Sequence, residues 1–344
     1  MIAAYFGMSE SYVMPENYKY KDGDLQIQTP ERPLGAGSVQ IGSCDPAKKR
    51  LTQWTSADHE SAYRAINALV RTWQEQGIDG YLIYGRESSN SSVPFSWEVV
   101  PYSDREWWRA KQFNVLWNIA INQRIRWYRG PYLDERQSLS KQERNGISQK
   151  LNQEISENLA TPSEKVITSA KKALEEQNKF CNFCSDRIIK AQQIYEGKHI
   201  RVLLDYAPLT KFHVLLVTKA HRQKFSDLKE EEYLENASLT KDLIEFYEGE
   251  NKEHCAVHKY AKADKKAGQT IPHWHEHLVF TTSDVQERSG EWTIFRKMLL
   301  GPLPLPNVIK QCLGIGPLSK DQLKADVEKY SKAFKEFKER QNKG

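Results

Sequence analysis

Hydrophobic and polar positions alternate with two periods along this chain, and the period separates its elements. LQIQ (25–28), SVQIG (38–42), GYLIYG (80–85) and SWEVVPY (96–102) alternate or run apolar over four to seven residues, as strands do. TSADHESAYRAINALVRTWQEQG (55–77) instead repeats its apolar residues every three to four positions, which predicts an amphipathic helix opening at Ser56. A second aromatic-rich helical pattern covers 105–128, with Trp107, Trp108, Phe113 and Trp117. Residues 134–160 are polar and nearly free of aromatics, and are read as a linker. A helix then starts with Thr161 as N-cap, Pro162 at the first helical position and Glu164 closing a capping box. It runs to about Lys179 and leads into CNFC.

The second half repeats this grammar. HIRVLLDY (199–206) and FHVLLVTK (212–219) read as strands, and DLKEEEYLENASLTKDLIEFYEG (227–249) as a helix. A lysine-rich loop follows, then IPHWHEHLVF (271–280), then a lysine-rich helix in the tail from Leu318 with a thin apolar stripe. RPLGAGSVQI, a helix and GYLIYG…PFSWE follow the same order as APLTKFHVLLV, a helix and AGQTIPHWHEH, with Ser38 standing where His213 stands. This order predicts a duplicated unit whose first copy lacks the row of three histidines, since no histidine lies between His59 and His199.

Composition narrows the function classes. At 344 residues the chain has room for two domains. A net charge of +5 tolerates an anionic substrate but is too mild for a dedicated nucleic-acid binder. Five cysteines, with only Cys181 and Cys184 close together, suit a reducing compartment and a metal or redox use better than a disulfide scaffold. There is no signal-peptide pattern at the N-terminus and no apolar run near the ~20 residues of a membrane span. The expected location is cytoplasmic, with no membrane partner.

Chemistry concentrates in AGQTIPHWHEH (267–277), where three of nine histidines, His273, His275 and His277, stand at alternate positions. On a strand these imidazoles would share one face, with Trp274 and Glu276 on the other. Neutral imidazole is a nucleophile near pH 7, and polar amides beside it can stabilise charge on a phosphoryl group. Cys181-x-x-Cys184 alone admits redox, buried-thiol or metal readings.

With its Gly-Gln-Thr approach, AGQTIPHWHEH resembles the signature of the histidine-triad (HIT) family, and residues 178–285 are similar to that family throughout. The resemblance implies an α+β fold built on an antiparallel sheet with helices. Two tandem copies would pair within the chain as a pseudo-dimer. Its parts would be a degenerate HIT-like domain at 1–133, the linker 134–160, a catalytic HIT domain at 161–300 and a C-terminal helical extension at 301–344. It implies His275 as the nucleophile that forms a covalent nucleotidyl-histidine, with His277 on the phosphate. Gln269 and Thr270 would contact phosphate oxygens, and Asp205 a ribose hydroxyl. It further implies a structural Zn²⁺ on Cys181, Cys184, His221 and His273, two reduced cysteines being the other reading.

The expected activity is hydrolysis at the α-phosphate of a purine nucleotide, such as a phosphoramidate or a dinucleoside polyphosphate. Histidine at 277 favours the hydrolases over the transferases of the superfamily. A nucleotidyltransferase or phosphorylase, a non-catalytic nucleotide-binding protein and a catalytic metal site on the three histidines are the alternatives. The sequence departs from the family in the lysines 262, 265 and 266, which are either anion-attracting or a solvated loop. It departs again at Glu276, for which a salt bridge to the N-terminal half is expected. His199, His213, His254 and His258 are read as structural or surface residues.

Overall fold

Thr55 ends an extended segment and caps the first long helix. Its hydroxyl accepts the N–H of Asp58, whose carboxylate takes the N–H of Thr55 in return at 2.7 Å. Lys48 then neutralises Asp58 at 2.8 Å. From this cap helix α1 (Ser56–Glu75) lays Ala62, Ile66, Leu69 and Trp73 onto a sheet face formed by Leu25, Ile27, Val39, Ile41, Trp97 and Val99.

The computed structural model describes residues 18–19, 25–28, 37–88, 94–102, 181–251, 255–282 and 316–342, with single positions at 30, 34–35, 111–112, 115 and 119. The expected linker 134–160, the helix from Thr161 and most of the aromatic helix at 105–128 lie outside these residues. Lys111, Gln112, Val115 and Ile119 of the last are helical. The remaining elements are β1 (Tyr18–Lys19), β2 (Leu25–Gln28), β3 (Val39–Ser43), β4 (Gly80–Ser88), β5 (Ser96–Tyr102), α2 (Asp186–Gln192), β6 (Gln193–Glu196), β7 (Ile200–Leu204), β8 (His213–Thr218), α3 (Glu230–Asn251), β9 (Cys255–Ala263), β10 (His275–Thr282) and α4 (Lys320–Gln341). Among the described residues no helix is long and apolar enough to cross a membrane.

The ten strands of the described residues belong to one antiparallel sheet in the order β1-β2-β3-β5-β4-β9-β10-β8-β7-β6. Its halves have the same connectivity, 1-2-3-5-4 and 6-7-8-10-9, and they join where β4 pairs with β9 from Tyr81↔Ala263 to Ser88↔Ala256. A mixed helix and antiparallel-sheet fold is what the sequence predicts. Helices α1, α3 and α4 cover one face. Phe334 of α4 is fully buried among Phe246, Tyr195 and Phe337, so the thin apolar stripe of the tail packs against β6 and α3.

Two elements differ from the sequence expectation. CAVHKYAKA, taken as the beginning of a lysine-rich loop, is the central strand β9. Its polar residues broke the alternation, yet two of them are buried with partners: Tyr84 Oη meets His258 Nδ1 at 3.0 Å, and Lys259 Nζ meets Asn236 Oδ1 and Thr240 Oγ1 at 2.8 Å each. Strand β10 begins only at His275, so His273 sits before it in the bend 271–273 rather than in a row of three.

Glu276 also has a different partner from the one expected. Its carboxylate lies 2.8 Å from Lys259 Nζ, a residue of its own half, and both are almost fully buried. The N-terminal half contributes the ring of Trp97, 5.3 Å from the ammonium. Trp274 is buried against Phe225 in a core cluster that also holds residues of α1, β2 and β3.

Candidate active site

Strand alternation puts His275 and His277 on the sheet face away from α1 and α3, while Trp274 and Glu276 turn toward the helices. The His275 ring is fixed by its own backbone: Nδ1 lies 2.7 Å from the carbonyl oxygen of His273. A carbonyl only accepts, so Nδ1 carries the proton and Nε2 keeps a free lone pair. Phe183 packs edge-on against this ring at 4.9 Å and shields it from water. Burial lowers the His275 pKa, and nearby Lys262 acts in the same direction. The His273 carbonyl and Asp205 oppose them.

A relay orients His277. The N–H of Leu209 donates to His213 Nδ1 at 3.1 Å, so His213 carries its proton on Nε2 and donates it to His277 Nδ1 at 3.0 Å. His277 is thereby left with its proton on Nε2, a donor suited to a phosphoryl oxygen. Tyr260 stacks on the His277 ring at 4.4 Å and 9°. Asp205 sits beside the relay, its Oδ2 3.4 Å from His213 Nδ1 and 4.0 Å from His277 Nδ1, while its Oδ1 accepts the N–H of Ala207 at 2.8 Å. His213, read from sequence as packing, is therefore part of the site. The signal for it was parity: Leu215 pairs with His277, and His213 lies two residues away on the same face of β8.

The loop between β9 and β10 closes through tight turns. Asp264 has φ +68° and Gly268 φ +85°, the left-handed region where glycine is least strained. The Gln269 side chain clamps this loop, accepting the N–H of Asp264 at 2.9 Å and donating to the carbonyl of Gln223 at 3.1 Å. Its amide is thus engaged with backbone, whereas Thr270 is exposed. From the N-terminal half, Gln112 donates to the carbonyl of Lys266.

Cys181, Cys184, His221 and His273 form a separate cluster, with all four ligand atoms within 4.8 Å of one another. His273 Nδ1 lies 3.3 Å from Cys181 Sγ and 3.5 Å from Cys184 Sγ, and His221 Nδ1 lies 3.4 Å from Cys184 Sγ. A tetrahedral metal with two thiolates and two imidazoles separates its ligand atoms by about 3.3–3.8 Å, so the set fits one ion. The tautomer agrees, since His273 Nε2 donates to the carbonyl of Thr218 at 2.8 Å and leaves Nδ1 free. Burial and the neighbouring Cys181 push the Cys184 thiol up to about 12, an unfavourable place for a thiolate unless a cation compensates. His275 belongs to no such cluster among the described residues.

The site thus joins a buried imidazole with an unprotonated Nε2, a second imidazole presenting a proton, and a Cys₂His₂ cluster at the bend that precedes them. Residues 186–283 match the family model of the HIT domain, which identifies this part of the chain as a HIT domain. An uncharacterized HIT-like protein of Methanocaldococcus jannaschii is 28% identical over 106 residues, 29% of this chain and 77% of the relative. Protein hit of Bacillus subtilis is 26% identical over 103 residues, 29% of this chain and 68% of the relative. A solved structure of a uridylyltransferase mutant superposes with a TM-score of 0.51 at 10% identity, covering 94% of this chain and 93% of that one, and this likeness concerns the fold.

Proposed function

We propose that this chain is a nucleotide hydrolase acting at the α-phosphate through a nucleotidyl-histidine intermediate, with purine nucleotides as substrates and the cytoplasm as its setting. The observation that carries the reading is the His275 Nδ1 contact with the His273 carbonyl, which leaves Nε2 as the nucleophile inside a HIT domain. Nε2 donates its lone pair to the α-phosphorus as the bond to the leaving group breaks, and that bond's electron pair departs with the leaving group. Water then forms a new P–O bond while the N–P bond returns its pair to Nε2. The water proton passes to the imidazole and on to solvent. His277 Nε2–H would steady a phosphoryl oxygen through both steps, and Asp205 would accept a ribose hydroxyl. Backbone amides around Gln269 and Thr270 would line the phosphate.

Zn²⁺ is the cation we assign to Cys181, Cys184, His221 and His273, where it would fix the bend that presents His275. The N-terminal half we read as a degenerate copy. A shift of 175 residues aligns Leu34 with Leu209 and Ser38 with His213. The pair Gln40↔Glu98 in β3–β5 then matches Leu215↔His277 in β8–β10, and Gly42↔Ser96 matches Val217↔His275. Ser96 and Glu98 would thus occupy the places of the two catalytic histidines. The N–H of Leu34 bonds Glu98 at 2.6 Å where that of Leu209 bonds His213.

The test is intact-protein mass spectrometry after brief incubation with adenosine and guanosine phosphoramidates, diadenosine polyphosphates and a nucleotide sugar. Wild type should gain one nucleoside-monophosphate mass, or at least turn substrate over, and His275→Ala should do neither. Turnover that survives in His275→Ala would sink the covalent reading, and nucleotide binding with no turnover of any compound would leave a binding protein.

A further inference from the structure

Lys262 is a lysine that the chemistry above leaves unused. One step beyond the Glu276↔Ala261 pair, the antiparallel register of β9 and β10 sets Lys262 opposite His275 and on the same face. Its ammonium lies 5.8 Å from the Tyr260 ring, and 3.5 Å from where a Cβ on Gly268 would stand. Gln112 Nε2, from the other half, approaches that same point to 3.3 Å. The other lysines of the loop are placed differently: Lys265 is exposed, and the Cβ of Lys266 packs against Gly80.

Among the described residues no carboxylate lies within ion-pair distance of Lys262. Asp205, the acid of this site, is held by the N–H of Ala207 and lies beside His213 on the far side of His277. Burial pulls the Lys262 ammonium down to about 8, with no acid opposing the shift. A half-buried charge without a counter-charge is costly, and a ligand anion is what would relieve it.

The order of groups along this face then says which anion. Asp205 stands beside His277, His277 lies 5.0 Å from His275 between ring centres, and Lys262 follows on the side of the Gly268 loop. With the ribose at Asp205 and the α-phosphate at His275, whatever leaves from the α-phosphate emerges beside Lys262.

We propose that Lys262 binds the leaving group and that the leaving group is itself a phosphate, so that the substrates are pyrophosphate-linked nucleotides rather than phosphoramidates. This rests on the nucleotidyl-histidine reading. As His275 Nε2 bonds to the α-phosphorus, the bond to the bridging oxygen breaks and its electron pair stays with the departing phosphate. The Lys262 ammonium offsets the charge that builds there. A departing amine carries no such charge and gains little from it.

The experiment compares kcat/KM for an adenosine pyrophosphate-linked compound and for adenosine phosphoramidate, in wild type, Lys262→Gln and Lys262→Arg. Wild type should prefer the pyrophosphate-linked compound. Lys262→Gln should lose about 10- to 100-fold on it, the range for a charge-assisted bond, and at least tenfold less on the phosphoramidate, with Lys262→Arg recovering most of the loss. Equal losses on both substrates would overturn the assignment, as would a wild type that prefers phosphoramidate. If Lys262→Gln folds poorly, the wild-type preference and the Lys262→Arg comparison decide in the same sense. No turnover of either compound and no adduct on His275 would remove the nucleotidyl-histidine reading as well.

Discussion

Removing Glu276 alone should be among the most damaging substitutions that touch no substrate. Its carboxylate is paired with Lys259 at 2.8 Å, and each residue is less than one-twentieth exposed. At that separation and an effective dielectric of 20 the attraction is about 6 kcal/mol. Much of this offsets the desolvation of two charges, so the pair contributes little net stability over an apolar pair of the same size. Breaking it is different. Glu276→Met leaves a buried ammonium held only by Asn236, Thr240 and the Trp97 ring, and should cost about 3–5 kcal/mol. Lys259→Met should cost a similar amount, because it strands a carboxylate and the Asn236 carbonyl together.

The double variant Lys259→Met/Glu276→Met removes both charges and keeps the volume. It should be more stable than either single variant and within about 1–3 kcal/mol of wild type. The assay is equilibrium urea unfolding of all four proteins, read as a double-mutant cycle. Additive losses, with the double variant weakest of all, would refute the reasoning and mean that the two charges are separately solvated.

Two further outcomes are expected. Elemental analysis should find one zinc per chain, lost in Cys181→Ser and kept in His275→Ala, and chelation should lower the melting temperature by at least about 5 °C; metal that departs with His275 instead would move the ion to the nucleophile. Burial raises the Glu98 carboxyl to about 7, against the N–H of Leu34 and the hydroxyl of Ser38. The folded state therefore holds this proton more tightly than the unfolded chain, whose value is near 4.5. That stabilisation is complete below about pH 4.5 and is lost as pH rises through 7, by up to about 3 kcal/mol at pH 8. Glu98→Gln should flatten this slope between pH 5 and 8, and a slope unchanged by the substitution would place the titration elsewhere.

Helices α1 and α3 and strands β2 to β5, β7 and β8 were legible because each carries one clean period and buries one face. The four cysteine and histidine residues that cluster were legible too, but through resemblance, since their spacing from 181 to 273 has no local meaning. Strand β9 was not. Lys259 and Lys262 hid it, because nothing near them in sequence neutralises them. One finds its counter-charge seventeen residues away on β10, and the other has none within the described residues. The relay through His213 escaped for a related reason, since only pairing β8 with β10 brings that ring to His277.

By itself, then, the sequence determined most element types through local periodicity, and through the resemblance carried by one short motif it pointed to the antiparallel α+β class and to His275 as the candidate nucleophile. Tertiary structure alone decided which nitrogen of His275 is free, which lysine faces it, and that the two halves share one sheet through β4 and β9. Those depend on strand register and on buried electrostatics, where residues far apart in the chain set each other's protons and charges.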